Sequence, residues 1–98
     1  MNELKMGKFR EYLRDSRNGY GVSYMFKFPN IYGAHVCNYN NDIYPSGMWR
    51  VRLIRYREDG CTWGWLEHNL RDIPYETDRI DDEEVCKLLE KLMQYDLT

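Results

Sequence analysis

Two periods of hydrophobic alternation run along this chain, and the places where one replaces the other mark its elements. From Asn2 to Asp15, Met6, Phe9 and Leu13 fall at i, i+3 and i+7, and Tyr12 widens the stripe. That spacing predicts an amphipathic helix. Asn18-Gly19 tolerates the left-handed conformation and would stop it. Gly7 weakens the helix start by about 1 kcal/mol relative to Ala. From Tyr20 to Phe28 the period becomes two. Val22, Tyr24, Phe26 and Phe28 share one face, and Ser23, Met25 and Lys27 the other, as in a half-buried strand. Pro29-Asn30 closes it with turn chemistry. Tyr32 to Tyr39 reads as a second strand with Ala34 and Val36 on one side. Residues 38–47 (NYNNDIYPSG) form a polar loop.

Met48 to Arg57 alternates and then changes phase. Trp49, Val51 and Leu53 point one way against Arg50 and Arg52; then Ile54 and Tyr56 are apolar while Arg55 and Arg57 are polar. Either a bulge near Leu53-Ile54 resets the alternation, or the strand is buried on both faces there. Glu58-Asp59-Gly60 makes a hairpin turn. Cys61 to Glu67 returns as a strand with Trp63 and Trp65 on one face and Gly64 on the other. Residues 68–79 are a polar connection without clear period.

The closing helix carries the strongest local signals. Asp81 is a good N-cap and Glu84 stands at N3, an acidic version of the capping box. Ile80 and Val85 occupy the hydrophobic-staple positions. Asp82, Glu83 and Glu84 favour the positive end of the helix dipole. Val85, Leu88, Leu89, Leu92 and Met93 then repeat at helical spacing. The expected fold is α+β, in the order α-β-β-β-β-α. It is an antiparallel sheet of about four strands, with N- and C-terminal helices packed on one face.

Composition narrows the class. At 98 residues the chain makes one domain, 1–98. Aromatic residues at 15% exclude a disordered tail. No apolar run approaches the ~18–20 residues of a membrane span, and the start lacks a signal-peptide core, so a soluble intracellular protein is expected. Cys37, Cys61 and Cys86 form no C-x-x-C pair and are expected to be free thiols in a reducing compartment. His35 and His68 have no second ligand at i+3 or i+4, so no metal or other cofactor is expected. No nucleophile–base constellation points to an enzyme.

Net charge is −2, unevenly divided: residues 1–57 carry ten basic and four acidic side chains, residues 58–98 four basic and twelve acidic. Such asymmetry points to a charged partner surface, unless the folded halves cancel each other. Two surfaces follow. Arg50, Arg52, Arg55 and Arg57, interleaved with Trp49 and Tyr56, could contact phosphates while aromatics stack bases. Tyr32, Tyr39, Tyr44, Trp63, Trp65 and Tyr75 exceed what a small core holds and fit a protein-binding or homodimer face.

The strings Asn18-Gly19-Tyr20-Gly21-Val22-Ser23, Tyr32-Gly33, Met48-Trp49-Arg50-Val51-Arg52-Leu53 and Ile80-Asp81-Asp82-Glu83-Glu84-Val85-Cys86-Lys87-Leu88-Leu89 resemble a group of short bacteriophage and prophage accessory proteins. Arg50 and Arg52 stand where that group has an acid and small apolar residues. The resemblance implies expression in the host bacterial cytoplasm. By analogy of lifestyle it implies a non-enzymatic inhibitor of a host protein, such as a CRISPR effector or other defence nuclease. Glu76, Asp78, Asp81, Asp82, Glu83 and Glu84 would then dock on a basic channel. The alternatives are a small nucleic-acid-binding module using Trp49, Arg50, Arg52, Arg55 and Arg57, or a phage dimerisation or assembly module.

Overall fold

A computed structural model of the chain describes residues 4–18, 21–38 and 48–95. Six described strands form one antiparallel sheet: β1 Leu13–Asn18, β2 Val22–Lys27, β3 Tyr32–Asn38, β4 Trp49–Tyr56, β5 Trp63–Trp65 and β6 Glu76–Ile80. One helix, α1 Asp82–Met93, follows, and a short 3-10 turn spans Gly7–Tyr12. The expected α-β-β-β-β-α order is therefore corrected: there are six strands rather than four, and one helix rather than two.

The N-terminal helix fails for local reasons. Gly7 sits at φ 54, where a right-handed α-helix cannot pass. Met6 before it supplies no side-chain cap, and Leu13 already has extended backbone. The apolar stripe survives: Met6 and Phe9 are buried and Leu13 packs beside them. The polar segment after it, LRDSRN, becomes the edge strand β1, where an exposed charged strand deters further pairing.

The phase change in β4 is not a bulge against β3. Their register runs unbroken from Tyr32↔Arg55 to Cys37↔Arg50. Instead β4 is buried on both faces: Val51 and Leu53 on one, Ile54 and Tyr56 on the other. Gly33 makes this possible. It lies opposite Ile54 on β4 and Lys27 on β2. A Cβ there would run into the backbone carbonyl of Phe26 and come 2.9 Å from the Tyr56 ring and 3.2 Å from Ile54, so only glycine fits without a shift of the strand backbone. The irregularity that β4 does have is against β6, between Trp49 and Val51, with Arg79 of β6 at φ 55.

β5 and β6 pair along the same edge of β4, β5 with residues 54–56 and β6 with residues 49–52. Leu53 links them, its carbonyl accepting from Leu66 N–H and its N–H donating to the Tyr75 carbonyl. They are two halves of one strand, parted by an excursion. Residues 68–79 were expected to be a polar connection without clear period, and within it Leu70 and Ile73 are buried in the core, as is Leu66 just before it.

The helix matches its sequence signals. Asp81 accepts a hydrogen bond from Glu84 N–H at 2.9 Å, and Val85, Leu89 and Leu92 are buried against the sheet. At its far end Asn30, in the β2–β3 turn, donates to the carbonyls of Leu92 and Tyr95. The Leu92 carbonyl also accepts from Tyr95 N–H, so Asn30 adds a second donor at the helix end. The N-terminal segment packs beside the helix through Lys8 and Glu90 and through Lys5 N–H on Asp82. No described helix is long and apolar enough to cross a membrane.

Gly33→Ala is expected to destabilise the fold by about 1–3 kcal/mol, the usual cost of overpacking. Asp81→Ala is expected to cost about 1 kcal/mol, as lost N-caps do. Urea denaturation followed by circular dichroism checks both.

Candidate functional site

Helix α1 and the N-terminal segment cover one face of the sheet. Strand alternation assigns the other face its residues: Arg17 on β1, Met25 and Lys27 on β2, His35 on β3, Arg50, Arg52, Ile54 and Tyr56 on β4, and Trp63 and Trp65 on β5. No described element covers this face. The outer strands nonetheless line one groove there, of about 510 Å³. Arg14, Asp15 and Arg17 of β1 form one wall, with the Arg17 guanidinium 3.0 Å from the Asp15 carboxylate, and Trp63 and Trp65 form the other. Met25 and His35 lie between them, and Lys27 and Tyr56 close one end.

The groove is held from within. The Lys27 ammonium crosses above Gly33 to donate to the Gly60 carbonyl at 2.8 Å, and lies 5.2 Å from the Tyr56 ring centroid. Gly60 belongs to the β4–β5 turn, which Asp59 organises by accepting from Cys61 N–H, Thr62 N–H and the Thr62 hydroxyl. Those three donors hold the Asp59 carboxyl below its ordinary value. Burial pushes the Tyr56 phenol up, with Arg14 opposing it.

Trp65 is 42% exposed, the largest exposed apolar side chain among the described residues. It packs edge-on to Trp63 at 4.8 Å and to His35 at 5.6 Å, and the Arg52 guanidinium lies 4.5 Å from its ring centroid. Such a contact holds the indole while leaving it open to a further planar group. Burial pulls the His35 pKa down, and Arg50 and Arg52 add to the effect. Planar rings beside cations can hold an anionic ligand that carries aromatic rings.

Four arginines were expected to share one surface, and they do not. Arg50 and Arg52 lie on the open face; Arg55 alternates to the other side and is exposed, and Arg57 is exposed beyond the strand end. Trp49 is fully buried on the helix side, its ring 5.8 Å from that of Tyr24, so it cannot stack a base. Among the surplus aromatics, Trp63 and Trp65 line the groove, Tyr75 is exposed, and Tyr32 is buried with its ring 5.3 Å from that of Tyr95. Tyr39 and Tyr44 lie outside the described residues. Arg14, Arg17, Lys27 and His35 were not expected at a site. Only the β1–β2–β3 register brings them there, and no local motif announces it.

Most of the six candidate docking acids have partners within the chain. Glu76 pairs with Arg50 at 3.1 Å and Arg52 at 3.4 Å. Asp81 caps α1. Asp82 accepts from the Trp49 indole N–H at 2.7 Å and from Lys5 N–H. Glu83 and Glu84 pair with Lys87, whose pKa Glu84 and then Glu83 raise. Asp78 is exposed on β6. Of the cysteines, Cys37 is buried, Cys86 is half-buried and Cys61 is exposed at the groove rim, and no disulfide joins them. No cluster of three metal-ligating side chains occurs among the described residues. No family model, curated protein or solved structure matches the chain.

His35 gives the site a pH signature. Its folded pKa lies below the ordinary 6.5, so as pH falls the unfolded chain takes up this proton first. Its contribution to stability is complete above pH 6.5 and is lost as pH falls toward the folded pKa. In denaturant titrations across that range, His35→Gln is expected to flatten the acid-side loss of stability relative to the wild type.

Proposed function

We propose that the protein is a binding module that holds single-stranded nucleic acid across the open face of its sheet. The observation that supports this is the groove itself. Trp63 and Trp65 stand beside Arg14, Lys27 and the Asp15-paired Arg17 on a face that no described element covers. Stacking platforms beside cations suit a flexible strand, whose bases can be splayed and whose phosphates follow the positive charge. A duplex keeps its bases stacked inside and offers little to an indole in a groove.

Docking on a host protein through the acidic residues draws less support. Asp81 and Asp82 are engaged in holding α1 to its neighbours, and Glu76 is engaged with two arginines.

The test is a titration of a labelled oligothymidylate or oligouridylate of about ten nucleotides, within the range of single-strand site sizes. It is read by fluorescence anisotropy and by quenching of tryptophan emission. Binding is expected to weaken with salt, at about 0.7 log units of affinity per log unit of salt for each phosphate neutralised. Trp65→Ala is expected to cost about 1–3 kcal/mol, the range for one lost base stack. Arg17→Ser is expected to weaken binding and to reduce the salt slope. A duplex of the same length should bind more weakly. No binding of either single strand at low salt, by the wild type or by a variant lacking the Glu76 carboxylate that holds Arg50 and Arg52, would overturn the proposal.

A further inference from the structure

Glu76 lies across the register from Arg52, on the same open face as the groove. One of its carboxylate oxygens, Oε2, is 3.1 Å from Arg50 Nη2 and 3.4 Å from Arg52 Nε. All three side chains are partly screened from water, with 25–36% of each exposed. Their attraction therefore exceeds that of a fully exposed pair. The same Arg52 guanidinium lies against Trp65, the most exposed indole of the groove. One carboxylate thus sits where a backbone phosphate would sit. It occupies two cations next to the ring that would stack a base.

We infer that Glu76 is an internal competitor for phosphate. It holds Arg50 and Arg52 in the free protein, and a strand crossing the open face must displace it to reach both arginines. This rests on the reading of the open face as a single-strand site. Carboxylate and phosphate both present acceptor oxygens that the guanidinium fork can pair with, so the exchange keeps the arginines paired in both states. Weakly held or short anions lose that exchange. A strand anchored by stacking and by Arg14, Arg17 and Lys27 wins it through its high local concentration. Glu76 therefore lowers affinity for anions in general and leaves the sheet selective for ligands that also stack.

The experiment measures the same labelled oligonucleotide against wild type, Glu76→Gln, Glu76→Thr and Glu83→Gln. Threonine suits a strand, so it covers the case in which glutamine disturbs folding. Glu83 lies on α1 and pairs with Lys87, so its variant makes the same charge change away from the open face. Removing Glu76 is expected to tighten binding about tenfold at low salt. It should also steepen the salt dependence by about 0.7, the share of one further phosphate on a single strand. Glu83→Gln should change affinity less than about twofold, since a distant rim charge is screened. Inorganic phosphate is expected to compete more effectively against the Glu76 variants than against wild type. If wild type binds and the Glu76 variants bind equally, more weakly, or only as tightly as Glu83→Gln, the competitor role is overturned and the open-face site stands. If neither wild type nor the Glu76 variants bind, both fall. Binding by the variants alone would support the competitor role in its strongest form.

Discussion

Trp49 is among the largest fully buried side chains of the described residues, and its indole N–H cannot be left without an acceptor in an apolar core. Asp82 accepts it at 2.7 Å. The other oxygen of that carboxylate accepts from Lys5 N–H, so one side chain joins β4, the first turn of α1 and the N-terminal segment. Leu4 N–H reaches the Tyr24 hydroxyl beside the same indole. This junction sets which face of the sheet is covered. The one described helix is fixed on the Trp49 side, and the opposite face is left to manage its own apolar residues.

It does so with Gly33. The missing side chain lets the Tyr56 ring settle over β3 and lets Lys27 reach the β4–β5 turn. The turn in turn positions the Trp63–Trp65 strand. The open face is thus a thin second layer of aromatic and cationic side chains rather than a bare sheet. The charge asymmetry read along the sequence survives only in part, because Asp15 and Glu76 pair with arginines on the open face and Lys8 and Lys87 pair with acids on the helix side. Arg17, Lys27, Arg50 and Arg52 stand on one face, and Asp82, Glu83 and Glu84 on the helix that covers the other.

What could be read from the sequence was what local chemistry decides. Asp81 and Glu84 mark the start of α1, and the apolar stripe behind them sets its buried face. Strands β2 to β5 follow from their alternation. The N-terminal stripe misled because spacing alone does not reveal that Gly7 turns the backbone left-handed. Strands β1 and β6 were hidden because their residues are mostly polar, and they exist only through pairing with β2 and β4. The site was legible in part. Arg50, Arg52, Trp63 and Trp65 were singled out, but Trp49 was assigned beside the wrong neighbours. Arg17, Lys27 and His35 come from three successive strands, and only the pairing of those strands places them on one face.

The order of contacts along the chain has a further consequence, for how the protein assembles. From β1 to β5 each strand pairs with its neighbour in sequence, so the ladders close over short loops. The junction at Asp82 is different, since Lys5 and Asp82 are 77 residues apart. Closing a long loop costs more chain entropy than closing a hairpin. Losing the Lys5–Asp82 contact would therefore undo a long-range closure while leaving paired the β1 to β5 ladders, which carry most of the open face.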